Sequence, residues 1–278
     1  MKNLVAFSRH YGSDISLVAA GGGNTSMKEN GTLYVKGSGS ALSTINAENF
    51  VALSMEKLLQ IPKNTYPDTD KEREAAFLKD IMDAKLPGEE QKRPSVETLL
   101  HALFPQRYVL HLHPSKVNGL TCSKEGEKAA KRLFPNAVWV PECRPGYTLA
   151  MKLASALNDS VNTVLLQNHG VFFAADTVEE LDVLLKGMMA VLDKEIEEKY
   201  DAALDKAPRL EEPFTPDHIV YCGVGPTLPD NDNARLLWED ANKIAKYTAS
   251  FGGQRPMAKE MVEFIRNWEA ESYRRKQA

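Results

Sequence analysis

RPSVETLLHALFPQRYVLHLHP, from Arg93 to Pro114, is the stretch around which the chain can be read. Its second half, YVLHLH, is rich in β-formers and ends at Pro114, which predicts a strand. Side chains alternate along a strand, so His111 and His113 face the same side. Two imidazoles converging from one strand supply half of a transition-metal site. The competing reading is a pair of ordinary strand histidines. What favours a metal is the apolar strand around them and a further histidine, His169, in the turn Asn168-His169-Gly170, placed to act as a third ligand.

The first half, SVETLLHALF, predicts a helix, with Ser95 as its N-cap after Pro94 and an apolar face of Leu99, Leu100, Leu103 and Phe104. Glu97 falls in the first turn, where the helix dipole favours a carboxylate whatever else it does. His101 follows four residues later on the same face, within reach of an i,i+4 contact. A chemical role for Glu97 requires that it face the strand histidines.

Upstream lies a predicted short helix over 3–11 and a predicted strand ISLVAA (15–20), which runs into Gly21-Gly22-Gly23-Asn24-Thr25-Ser26. Consecutive glycines let the main chain approach a ligand closely, and successive N–H groups in such a turn can form an anion nest. TLYVKGSGSAL (32–42) predicts another strand and a second Gly/Ser turn, where Lys36, Ser38 and Ser40 add a cation and two hydroxyls. A pair of tight turns without ligand is the plain alternative; together they suggest a pocket for phosphate or carboxylate. No P-loop and no dinucleotide fingerprint is present.

Further along, VALSM (51–55) reads as a strand leading into a short helix, and KEREAAFLKDIMDAKL (71–86) as a helix. Helices over 125–134 and 143–157 flank a strand at 137–141. VNTVLLQNHGVFFAAD (161–176) reads as strand, turn, strand. A long helix over 177–204 has a threonine cap and acids in its first turn. After a proline-bearing linker (208–216), DHIVYCG (217–223) reads as a strand, and 231–278 as two helices separated by Gly252-Gly253, with Trp238 and Trp268 as anchors. The mixture predicts an α+β or three-layer α/β/α architecture.

Composition narrows the class. The chain has 278 residues, 43% hydrophobic and 26% charged, as expected of a globular protein. A net charge of -4 argues against nucleic acid or an anionic membrane as main partner. No apolar run reaches the roughly 18 residues of a membrane span. MKNLVAFSRHYG lacks the pattern of a signal peptide, and Cys122, Cys143 and Cys222 include no CxxC pair. The expected compartment is the reducing cytoplasm.

Taken in order, GGGNTS, VKGSGSAL, RPSVETLLHAL, HLHPS and QNHGVFFAADTVEE resemble the class II aldolase/adducin family. Within it the sequence is most similar to the aldolase half of the bifunctional rhamnulose-phosphate aldolase/alcohol dehydrogenases, a likeness that FTPDHIVYCG and WEAESYR share. The resemblance implies a central, mostly antiparallel sheet covered by helices, in homotetramers with the site at a subunit interface. It implies a domain over 1–206 and an extension over 207–278 packed on it. It implies that His111, His113 and His169 bind a divalent metal, commonly Zn²⁺, and that Glu97 is the catalytic acid/base and can also ligate the metal at rest. Asn24, Thr25, Gly37, Ser38 and Ser95 fall where the family cradles the substrate phosphate. Lys36 is a departure: many members carry a small hydroxyl residue there, and a lysine could strengthen phosphate binding or accept a carboxylate. Tyr200 and Tyr221 are the candidates for the family's C-terminal tyrosine.

The activity so implied is cleavage of a ketose 1-phosphate of the L-rhamnulose or L-fuculose type to dihydroxyacetone phosphate and an aldehyde. The family's dehydratases and decarboxylases remain alternatives. Its epimerases usually carry Asp where Glu97 stands, and its non-catalytic adducin heads have degraded ligand sets, so both fit less well.

Overall fold

The computed structural model describes residues 1–277, with side chains through Tyr273. In chain order, its helices and strands are α1 (Lys2–Gly12), β1 (Asn24–Glu29), β2 (Thr32–Lys36), β3 (Phe50–Ser54), α2 (Met55–Gln60), α3 (Asp70–Asp83), α4 (Thr98–Leu103), β4 (Tyr108–Leu112), α5 (Ser115–Thr121) and α6 (Gly126–Leu133), followed by β5 (Val138–Val140), α7 (Tyr147–Ala156), β6 (Thr163–Leu166), β7 (Gly170–Ala175), α8 (Val178–Lys199), α9 (Asp232–Thr248), α10 (Lys259–Asn267) and α11 (Glu269–Gln277). The strands form one sheet in the order β3-β2-β1-β4-β7-β6-β5. Every neighbouring pair is antiparallel except β5 with β6. Helices cover both faces, so the expected three layers and mostly antiparallel sheet are both present.

The strand that carries His111 and ends just before His113 is the middle one of the seven. Its side chains sort by alternation. Leu110 and Leu112 enter an apolar cluster with Leu4 and Phe7 of α1, Val117 of α5 and Leu181 of α8. Val109 enters the opposite cluster, with Leu58 of α2, Phe77 of α3, Leu99 of α4 and Leu149 of α7. His111, two residues on, takes the side of Val109. On that side it stacks on Phe172, its cross-strand partner in β7, with ring centroids 4.1 Å apart and planes 14° apart. Phe172 is fully buried, which by area is worth about 2–3 kcal/mol and fixes the plane of the imidazole.

Three expectations fail. Residues 15–20 are not a strand but a set of turns. The Asp14 carboxylate accepts from the Ser16 N–H at 2.9 Å and from its hydroxyl at 2.6 Å, and this local turn defeats the β-forming side chains. The segment then crosses the exit of β4, where the Leu17 carbonyl accepts from the His113 N–H at 3.0 Å. The strand begins instead at Asn24, so Asn24, Thr25 and Ser26 belong to β1 rather than to the turn. The second failure is 217–223: His218–Cys222 is one π-helical turn. Its apolar side chains are buried on opposite sides, Ile219 against Met257, Val262 and Ile265, and Val220, Tyr221 and Cys222 against Ala19 and Leu237. A short run buried all round has no period to read. Third, the tail holds three helices, because the second breaks at Trp268 into α10 and α11. The threonine cap of α8 is as expected: Thr177 Oγ1 accepts from the Glu180 N–H at 3.2 Å.

Among the described residues no helix is long and apolar enough to cross a membrane. The three cysteines are free thiols.

Candidate metal centre

Register brings the site together. Asn24 on β1 lies opposite His111 on β4, and Ser26 lies opposite Val109, so Asn24 and Ser26 share the face of His111. Thr25 points to the other face, where its hydroxyl pairs with that of Ser8 at 2.7 Å. The side chain of Thr25, grouped above with the phosphate cradle, is thus on the far side of the sheet. Ser95 is not an N-cap of α4. Its hydroxyl accepts from the Glu97 N–H at 3.3 Å, and its carbonyl accepts from the Thr98 N–H at 3.1 Å. The helix therefore starts after Glu97, and this tight turn aims the Glu97 carboxylate at the strand histidines.

Glu97 is buried with Oε2 3.3 Å from His111 Nε2 and Oε1 3.5 Å from His169 Nε2. The Asn24 amide donates to Oε2 at 2.6 Å and to Ser95 Oγ at 3.2 Å. Asn24 is oriented in turn by His101, whose Nε2 meets Asn24 Oδ1 while its Nδ1 meets Ser26 Oγ at 2.7 Å. Since Asn24 Oδ1 can only accept, His101 carries its proton on Nε2 and accepts from Ser26 on Nδ1. The i,i+4 contact expected between Glu97 and His101 is replaced by this relay through Asn24. Burial lowers the His101 pKa to about 3, against an opposing pull from Glu97, so the ring is neutral. Burial acts to raise Glu97, but the imidazoles of His111 and His169 and the Asn24 amide outweigh it and bring it down to about 2. Glu97 is ionised.

The three histidines converge. Each offers one ligand atom, and the three atoms lie within 4.8 Å of one another. Tautomers show what they are suited to hold. His111 Nδ1 must donate to the Val171 carbonyl at 3.0 Å, and His113 Nδ1 donates to the Asp217 carboxylate at 2.6 Å. Burial pulls the His111 pKa well below its usual value. Both Nε2 atoms are then acceptors, yet they face each other at 2.9 Å. Two lone pairs at that distance require something positive between them. Beside them, Glu97 Oε1 is buried with no hydrogen-bond partner. A proton could satisfy two of these atoms; a divalent cation satisfies the three imidazoles and the carboxylate together, and this donor set suits such an ion.

The cavity beside this cluster is lined by Gly21, Asn24, Lys36, Ser38, Ser95, Glu97, His113 and His169, and by Ala270 and Glu271 of α11. Lys36 is thus at the site, with Nζ donating to the Gly21 carbonyl at 3.0 Å. Four backbone N–H groups of the two turns are committed elsewhere: Gly21 to Tyr221 Oη at 3.0 Å, Gly22 to the Ala19 carbonyl at 3.0 Å, Gly37 to the Asn49 carbonyl at 2.7 Å and Ser38 to the Arg93 carbonyl at 2.8 Å. Of the expected cradle, Asn24, Lys36, Ser38 and Ser95 line the cavity. A larger groove of about 810 Å³ between α3 and α10 shares Ser95, Val96 and Ala270 with it but includes none of the histidines.

Sequence reasoning missed Asp217, Ser26 and the relay role of His101. Ser26 was detectable from GGGNTS once the strand is started at Asn24; Asp217 carries no local signal, because its partner is far away in the chain.

His169 is held by its neighbour. Asn168 adopts a left-handed conformation, φ 58°, and its amide donates to the carbonyls of Phe214 at 3.0 Å and Arg255 at 2.8 Å. Asn168→Ala is expected to cost about 2–4 kcal/mol, from two buried carbonyls left unpaired and a disfavoured backbone conformation. Denaturant titration reads this directly, and a cost under about 0.5 kcal/mol would remove Asn168 from the support of His169.

With this geometry established, comparison with known proteins gives the lineage. Residues 2–186 match the model of the Class II Aldolase and Adducin N-terminal domain. The chain belongs to that family. A curated relative, an uncharacterised oxidoreductase named YuxG from Bacillus subtilis (strain 168), is 37% identical over 193 residues, covering 64% of this chain and 27% of the relative. The chain thus spans about a quarter of that protein's length. Among solved structures, the N-terminal class II aldolase domain of a conserved protein from Thermoplasma acidophilum is 30% identical, with a TM-score of 0.60 over 69% of this chain and 91% of that one. An L-fuculose-1-phosphate aldolase from Thermus thermophilus is more distant, 19% identical with a TM-score of 0.44, covering 70% of this chain and 92% of that one, and its likeness does not bear on substrate. In class II aldolase/adducin terms, the matched region ends within α8, and everything from α9 onward lies outside it.

Proposed function

We propose that this chain is a divalent-metal-dependent aldolase, Zn²⁺ being the natural ion, that cleaves a ketose 1-phosphate of the L-rhamnulose or L-fuculose type to dihydroxyacetone phosphate and an aldehyde. The observation that carries the reading is the convergence of two imidazole acceptors, a third imidazole and an ionised, partly unsatisfied carboxylate in one buried cluster beside a cavity with a lysine. A cation held by His111, His113 and His169 supplies Lewis acidity, stabilising the negative charge that develops on the substrate oxygens.

The remaining work falls to protein groups. Cleavage removes a proton from the C4 hydroxyl, breaks the C3–C4 bond and returns a proton to C3. Glu97 is the group that holds this proton between the two steps: it is ionised at rest, and Asn24 holds its Oε2 while Oε1 lies beside His169. Lys36 and Ser38 bind the phosphate as a charge and a hydroxyl, and so fix the distance of the reacting carbons from Glu97. Three free thiols agree with a cytoplasmic enzyme. A homotetramer and the division at about residue 206 belong to the same proposal.

The test is dihydroxyacetone phosphate release from L-rhamnulose 1-phosphate and L-fuculose 1-phosphate by zinc-loaded protein, with and without chelator. Release that the chelator abolishes is expected. Zinc-loaded protein that releases nothing from either would overturn the aldolase reading in favour of the family's dehydratases and decarboxylases.

A further inference from the structure

Among the segments beyond the family match that reach the site, the π-helical turn opened by Asp217 bonds both to the glycine loop and to His113. Asp217 is buried, and its Oδ2 receives the His113 Nδ1–H at 2.6 Å. Four residues on, Tyr221 Oη receives the Gly21 N–H at 3.0 Å. The glycines are shaped to admit this pair. A Cβ on Gly22 would stand 2.5 Å from Asp217 Oδ2 and 3.1 Å from His113 Nδ1. A Cβ on Gly21 would stand 2.4 Å from Tyr221 Oη. Real Cβ atoms do not come so close, so a side chain at either position would have to displace the end of Tyr221 or Asp217 that meets it. Gly21 and Gly22 thus pack against protein atoms of this turn.

We propose that Asp217 is a positioning residue for the metal ligand His113, seated through the Gly21-Gly22 loop, so that the extension beyond α8 sets the affinity of the site for its cation. The inference rests on the metal reading above. The chemistry follows from the hydrogen bond. A carboxylate on Nδ1–H fixes the tautomer that leaves Nε2 free to ligate, holds the ring plane, and makes Nε2 a stronger donor. The peptide carbonyl of Val171 does the same for His111, with a weaker, uncharged acceptor. Tyr221 Oη accepts from the Gly21 N–H, so Tyr221→Phe tests the seating of the loop separately from the Asp217 bond to the ring.

The experiment uses the full chain and the metal alone, with Zn²⁺ competed against a chromophoric chelator and Co²⁺ followed by its visible spectrum. Asp217→Asn is expected to weaken metal binding by about 10–100-fold and to alter the Co²⁺ bands. Tyr221→Phe is expected to stay within about twofold of wild type in affinity, with unchanged bands. Equal affinity and bands for Asp217→Asn and wild type would overturn the proposal. So would equal losses in the two variants, which would mark general loosening of the segment. If Asp217→Asn does not fold, nitrogen NMR of the histidines in metal-free wild type decides: His113 protonated on Nδ1 is expected, and protonation on Nε2 overturns. Wild type that binds neither metal would overturn the metal reading itself, and this proposal with it, whereas wild type that binds metal while Asp217→Asn is unchanged removes the positioning role alone.

Discussion

Glu97→Gln is expected to lower turnover by about 10²–10⁴-fold while leaving the fold and the metal in place. The substitution keeps the shape. The amide oxygen of a glutamine can still accept from the Asn24 amide, which now meets Oε2 at 2.6 Å, so the turn from Ser95 to Thr98 has no reason to move. The three imidazoles remain as ligands. What disappears is the ability to hold a proton, since an amide at neutral pH neither takes one from a hydroxyl nor returns it to carbon. Turnover with the preferred ketose 1-phosphate, metal content and thermal midpoint should be measured on the same preparation. Activity within about tenfold of wild type would show that another group moves the proton. Loss of metal along with activity would recast Glu97 as chiefly a ligand.

Acid is expected to cost this protein about 3 kcal/mol between pH 7 and pH 4 through His101 alone. In the unfolded chain the ring takes a proton near pH 6.5, while burial holds its folded pKa to about 3. Over that interval the unfolded state binds the extra proton and the folded state does not, so stability is complete above 6.5 and is lost as pH falls, at up to about 1.4 kcal/mol per pH unit. His111, also lowered by burial, adds to the same limb. Urea titrations at pH 7, 6, 5 and 4 on wild type and His101→Gln separate the contributions: the variant should lose the His101 share of the slope. Parallel slopes would mean that His101 is protonated in the native state, with Nδ1 donating to Ser26 rather than accepting from it.

How much of this could be read in advance depends on distance along the chain. The strand with His111 and His113 was legible because alternation and a terminal proline are local signals, and the Asn168-His169-Gly170 turn because its residue types are turn formers. The helix after Glu97 was legible in kind, but its start was not, since Ser95 is equally good as a cap and as the turn residue it proves to be. The side on which Thr25 lies was not legible because it depends on where β1 begins: a start at Asn24 sends the Asn24 side chain to the histidines and the Thr25 hydroxyl to Ser8. The strand expected at 15–20 failed because one aspartate, Asp14, captured the backbone of the residues after it. Asp217 could not be read at all. Its meaning exists only beside His113, and DHIVYCG carries no period that distinguishes a buried π turn from a strand.

The middle position of β4 has a consequence for how the protein comes into being. That strand pairs on one side with β1, made long before it, and on the other with β7, made long after. Contacts of such long span form slowly. On the ribosome, a chain that has emerged through His169 already holds all three imidazoles and Glu97, yet Asp217 and Tyr221 are still inside. A nascent chain would therefore meet metal with His113 unbraced, and its grip on the ion would tighten once Asp217 emerged and reached His113.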